Sequence, residues 1–103
     1  MILVDARCTV LPERKGDFIR ETQKIIPVVQ REAGCTRYEL LADVGDTGVF
    51  HFIEEWESRK HLDEHLAQPH MQEYLGKTAP WYSAPADLTL YDVLGSQSGT
   101  PGH

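Results

Sequence analysis

The apolar and polar positions of residues 2–11 alternate. Ile2, Val4, Ala6, Cys8 and Val10 fall on one side, Leu3, Asp5, Arg7 and Thr9 on the other. That period of two predicts a strand buried mainly on one face, closed by Pro12. From residue 13 to about 33 the spacing turns helical, with Phe18, Thr22, Ile25, Ile26 and Val29 on one face. Pro27 lies inside this pattern and is expected to kink or break the helix, because it offers no N–H to the carbonyl of Gln23. Gly34 supplies the stop signal. Residues 35–43 and 49–57 read as two further strands joined through Gly45-Asp46-Thr47-Gly48, which predicts a hairpin. Ser58 is a candidate N-cap for a short helix to Ala67. Pro69 then restarts a helix in which Met71, Tyr74 and Leu75 share a face. Pro80 and Pro85 bracket a loop, and residues 87–94 alternate as a fourth strand with Leu88 and Leu90 on one side.

The predicted order is β-α-β-β-α-β with the second helix broken in two. It implies an α+β, ferredoxin-like domain over residues 1–94, a four-stranded antiparallel sheet covered by helices on one face. Leu3, Leu41, Ile53 and Tyr91 would leave apolar surface on the other face, and a homodimer packed sheet against sheet is the simplest remedy. Residues 95–103 have almost no apolar content and are expected to be disordered.

Composition narrows the partners. The chain has 103 residues, 41% hydrophobic and 25% charged, enough for one core. The net charge of -6 sits entirely in residues 39–64, which hold eight acids and two bases. With no basic stripe, nucleic acid is not an expected partner. No apolar run approaches the roughly 18 residues of a membrane span, and Asp5 and Arg7 interrupt the apolar start before a signal peptide could form. Cys8 and Cys35 read as reduced thiols rather than a disulfide framework. The expected compartment is cytoplasmic. The chain contains no asparagine.

Four of the five histidines lie between residues 51 and 70. His61-Leu-Asp-Glu64-His65 matches the H-x-x-E-H zinc peptidase pattern. A helical wheel argues against it. Leu62 and Leu66 mark the stripe expected to be buried, and the three polar residues centre roughly 110° to 120° away, on the solvent flank. No third ligand or closed cleft is in view, so no metal is expected. His65 lies at the edge of that stripe, where it can reach under the helix. It reads either as a hydrogen-bonded boundary histidine or as a general base titrating near neutral pH. Trp56 shares a strand face with Phe50, Phe52 and Glu54. A carboxylate among aromatics must find a partner, with Arg7 or Arg37 as candidates, or accept a raised pKa. Tyr38, Phe52, His70, Met71, Tyr74 and Trp81 are candidate walls of a cavity for a flat apolar ligand, although the aromatics equally suit a core. No phosphate-binding loop, dinucleotide fingerprint, CxxC pair or nucleophile elbow is present, so an enzyme built on this chain is expected to work without a bound nucleotide or flavin.

Three segments, Gly34-Cys-Thr-Arg-Tyr-Glu-Leu40, Phe52-Ile-Glu-Glu-Trp56-Glu-Ser58 and His65-Leu-Ala-Gln-Pro-His70, together with the mid-helix Pro27, resemble the antibiotic biosynthesis monooxygenase family. The likeness spans about residues 2–94 and is nearest the small quinol-monooxygenase-like branch. It implies a dimeric α+β barrel with a pocket between sheet and helices. It also implies oxygenation of an electron-rich phenol or quinol by dioxygen, without metal or cofactor. Trp56 and Glu54 match the family's E-x-W strand and His65 the histidine of the following helix, which makes these three the catalytic candidates. The polyketide-modifying branch has an asparagine where this chain has Phe52. The heme-degrading branch has one on the first strand, where this chain offers Arg7, and a late helical histidine near the positions of Tyr74 and Leu75. A chain without asparagine fits neither. The leading expectation is therefore a cofactor-independent monooxygenase of a small quinol or polyphenol. The alternatives are a cofactor-free isomerase of a keto-enol metabolite and a non-enzymatic dimeric binding module.

Overall fold

The computed structural model describes residues 1–99. Strand β1 spans Ile2–Thr9, helix α1 Lys15–Gln30, β2 Cys35–Ala42, β3 Val49–Trp56, α2 Arg59–Leu66, α3 Pro69–Thr78 and β4 Asp87–Asp92. The sheet order is β2-β3-β1-β4, every neighbouring pair antiparallel. The predicted ferredoxin-like α+β arrangement is the fold. Residues 95–99 carry neither helix nor strand and are exposed, and the remainder of the expected tail lies outside the described residues.

Alternation along β1 and β3 builds the core. Val4, Cys8, Phe52 and Trp56 point into one layer beneath α1, where Phe18 and Val29 are fully buried. Phe18 meets Phe50, Phe52 and Tyr82 at ring-centroid distances of 5.3, 6.2 and 5.9 Å. The hairpin turn closes as its sequence predicts: Asp43 accepts from the N–H groups of Gly45 and Asp46, and Asp46 from that of Gly48.

Two expectations need correction. Pro27 does not break α1, which runs on to Gln30. Pro27 and Gln23 are both exposed, so water can satisfy the carbonyl that the missing N–H leaves open. The buried side of α2 is Leu62 with His65, not Leu62 with Leu66, which is 39% exposed. The helix is turned by one position because the imidazole finds a polar partner inside. β4 is exposed along its whole length, including Leu88 and Leu90 on the inner face. It is an edge strand of the sheet.

A break in register decides what β2 contributes. Cys35 pairs with Trp56, but Arg37 pairs with Glu55, so Thr36 is the extra residue of a bulge. The one-residue shift sets Tyr38 opposite Glu54, facing inward, while Arg37 faces outward to Glu39 and Glu55.

Candidate active site

Strand β3 delivers Glu54 to the core side of the sheet, and the hydrogen bond it finds there is the Trp56 indole N–H, donated to Oε1 at 3.0 Å. Neither expected arginine reaches it. Arg37 is engaged with Glu39 and Glu55, and Arg7 is exposed on the opposite face. Burial pushes the Glu54 carboxyl up to about 7, the negative charge of Glu32 adds to the rise, and the indole N–H opposes it. The Trp56 side chain is fully buried and is not among the residues lining the cavity described below, so its N–H serves Glu54 and its ring has no free face for a substrate.

His65, 1% exposed, comes in from α2 and lies on Trp56 with ring centroids 4.5 Å apart. Tyr38 meets it edge-on at 5.6 Å. Its Nδ1 is 3.0 Å from Oε1 of Glu32, and Nε2 of His70 is 2.8 Å from Oε2 of the same carboxylate. Burial holds His65 below its ordinary value although Glu32 pulls it upward. Burial likewise pushes the Tyr38 hydroxyl well above the phenol range. At neutral pH the site therefore offers an uncharged imidazole, an uncharged phenol and a carboxyl near its midpoint.

A cavity of about 110 Å³ lies between sheet and helices. Ala6 and Cys8 of β1, Tyr38, Phe52 and Glu54 line the sheet side, with His65, Met71 and Tyr74 opposite. Tyr82 is held over it by the stitching of the loop after α3 to the end of β1, where Leu11 N–H donates to the Trp81 carbonyl and Ser83 N–H to that of Thr9. Among the described residues no protein group hydrogen-bonds to Nε2 of His65, the second oxygen of Glu54 or the Tyr38 hydroxyl, and no sealed side-chain nitrogen or oxygen lacks a partner. Those three atoms therefore open onto the cavity that their residues line. A wider groove of about 530 Å³ adjoins it and shares Leu75 and Tyr82.

The remaining candidates lie elsewhere. His70 does not line this cavity, and its Nε2 is bonded to Glu32, the carboxylate that also holds His65. Trp81 sits beneath the Arg14 guanidinium, 5.7 Å from its ring centroid. Neither stands in the wall of this cavity. His61 bonds to Ser58 at 2.7 Å while His65 turns inward, so the two do not converge on an ion. Among the described residues no group of histidine, cysteine and acidic side chains is arranged to hold a metal. Glu32 is the residue that sequence reasoning missed.

The family model for antibiotic biosynthesis monooxygenase matches residues 1–77. The chain belongs to this family. It is 30% identical over 97 residues to an uncharacterized protein of Synechocystis, covering 94% of this chain and 66% of that one. YcnE of Bacillus subtilis, provisionally named a monooxygenase, is 30% identical over 93 residues, 90% of this chain and 98% of its own. YgiN of Escherichia coli, provisionally named a quinol monooxygenase, is 39% identical over 59 residues, 50% of this chain and 57% of its own. The chain thus spans less than two thirds of the length of the first and third of these relatives. Among solved structures, Rv0793 of Mycobacterium tuberculosis superimposes with a TM-score of 0.87 at 26% identity, covering 94% of this chain and 98% of that one. The family's name carries monooxygenase chemistry as a class.

Proposed function

We propose that this family member is a cofactor-independent monooxygenase that oxidises a small quinol or polyphenol with dioxygen. The observation that carries the reading is an apolar cavity onto which an uncharged imidazole nitrogen, a phenol and a near-neutral carboxyl open together. His65 Nε2 takes a phenolic proton, and the anion, poorly solvated among Phe52, Met71 and Tyr74, is the electron-rich form that reduces dioxygen. The Tyr38 hydroxyl donates to the second oxygen of the ring. Oxygen adds to ring carbon, and Glu54 supplies the proton with which one oxygen atom leaves as water. The balance is quinol plus O2 giving hydroxyquinone plus water, all four electrons coming from the substrate.

Size supports a small ring. A cavity of about 150 Å³ admits benzene, so about 110 Å³ accepts the reacting edge of a ring, with the rest of the molecule in the adjoining groove. The test is oxygen uptake on mixing the protein with anaerobically prepared quinols. Uptake is expected, and His65→Ala should lower its rate by about 100-fold or more, the usual worth of a positioned base. No uptake above background across a quinol panel, or an unchanged rate in His65→Ala, removes the mechanism.

A second reading rests on Glu54. A carboxyl at about 7 facing an uncharged imidazole across one cavity suits proton transfer between adjacent carbons, hence a keto-enol isomerase. Turnover that continues without oxygen would favour it. The working unit is proposed to be a homodimer. On the outer sheet face Leu41, Ile53, Leu3 and Tyr91 run diagonally across all four strands, with Leu41 44% and Tyr91 50% exposed. No helix among the described residues is long and apolar enough to cross a membrane.

A further inference from the structure

Glu32 lies beyond the end of α1, in the turn before Gly34, yet its carboxylate is the common acceptor for two histidines from two other helices. Its side chain is 10% exposed, whereas His70 on its outer side is 30% exposed. An anion at Nδ1 forces the proton of a neutral His65 onto Nδ1 and leaves the lone pair on Nε2, the nitrogen that opens onto the cavity. A free imidazole prefers the opposite tautomer, with Nε2 protonated and useless as a base. His70 donates to the other carboxylate oxygen and so fixes Glu32 from the solvent side. The turn that aims Glu32 depends on Gly34, which has φ +79° and whose missing side chain leaves room for the His61 ring. The base–orienter arrangement is the one required of a general base held in a single tautomer.

We propose that Glu32 is the positioning residue of the site, holding His65 with its Nε2 lone pair toward the cavity and stabilising the imidazolium formed when that nitrogen takes a proton. The kinetic part rests on His65 acting as the base. The tautomer part does not.

The charged and titratable groups facing His65 are Glu32 after α1, Tyr38 on β2, Glu54 on β3 and His70 on α3. Removing only the charge, in Glu32→Gln, takes away the carboxylate that pulls His65 upward, so proton uptake there becomes about tenfold or more less favourable. Long-range ¹⁵N–¹H NMR on the labelled protein distinguishes protonated from unprotonated ring nitrogens. Wild type should show Nδ1 protonated and Nε2 bare, and Glu32→Leu should shift His65 toward the Nε2–H form. In Glu32→Gln the His65 titration midpoint and the acid limb of kcat/KM should both move to lower pH, with kcat falling at least tenfold and KM little changed. A purely structural Glu32 would lower the folded fraction and leave both midpoints where they were. Wild-type His65 protonated at Nε2, or a Glu32→Gln protein that is folded with an unmoved His65 midpoint, overturns the proposal. If Glu32→Leu fails to fold, Glu32→Gln decides. If no quinol supports oxygen uptake, the monooxygenase reading falls while the NMR result still decides Glu32.

Discussion

The sharpest quantitative consequence of the fold concerns Glu54. Its carboxyl is ionised at an ordinary value of 4.5 in the unfolded chain and at about 7 in the folded one. A carboxyl raised by folding favours the folded state only while it is protonated. Its contribution is therefore fully present below pH 4.5, declines as the pH rises toward 7, and stays lost above that. The two values differ by about 2.5 pH units and each is worth about 1.4 kcal/mol, so the loss between pH 4.5 and pH 8 is about 3 kcal/mol. Glu54→Gln removes the titration but keeps an amide oxygen for the Trp56 N–H. Urea unfolding of both proteins at pH 4.5, 6, 7 and 8 isolates the effect, because the other titrating groups are common to the two. The variant should gain on wild type by about 3 kcal/mol across that range, or on the order of 10–20 °C in Tm for a domain of this size. A stability difference between the two proteins that does not change with pH would refute the reasoning. It would mean that the cavity side of Glu54 is wet enough to solvate the anion.

Other substitutions probe the frame around the site. Gly34→Ala must hold a left-handed φ of +79° with a Cβ against the His61 ring, and should cost at least about 2 kcal/mol in urea unfolding. Adding His61→Ala should recover the steric part and not the backbone part. Tyr74→Phe breaks the buried 2.6 Å bond to Thr22 and should cost about 1–2 kcal/mol. Thr22→Val in the same chain should recover most of it, so a double-mutant cycle showing simple additivity would contradict the pairing. On the outer sheet face, Leu41→Asp with Tyr91→Asp should convert the proposed dimer to monomer in light scattering. A protein that is monomeric before substitution, or dimeric after it, argues against that face.

The legible and illegible parts of this molecule divide along a physical line. Period-two alternation sends Glu54, Phe52 and Trp56 to one side of β3 wherever that strand pairs, so the sheet side of the site was readable before any contact was known. Helical phase was less informative, because apolar residues alone mis-centred the buried side of α2. Leu66 looked internal and His65 marginal, but a partner in the interior made the imidazole cheaper to bury than the leucine. Glu32 was out of reach for a different reason. It obeys neither period, since it follows the last helical residue, and its direction is set by one glycine dihedral and by α2 and α3 arriving from 33 and 38 residues downstream. Tyr38 shows the same logic within a strand: the bulge at Thr36, invisible to alternation, determines that a tyrosine and not an arginine stands opposite Glu54. Had Arg37 taken that place, the carboxyl would be neutralised by an ion pair and held ionised at neutral pH, unable to give up a proton. Its raised value, and with it any role as an acid at neutral pH, thus depends on one extra residue in β2.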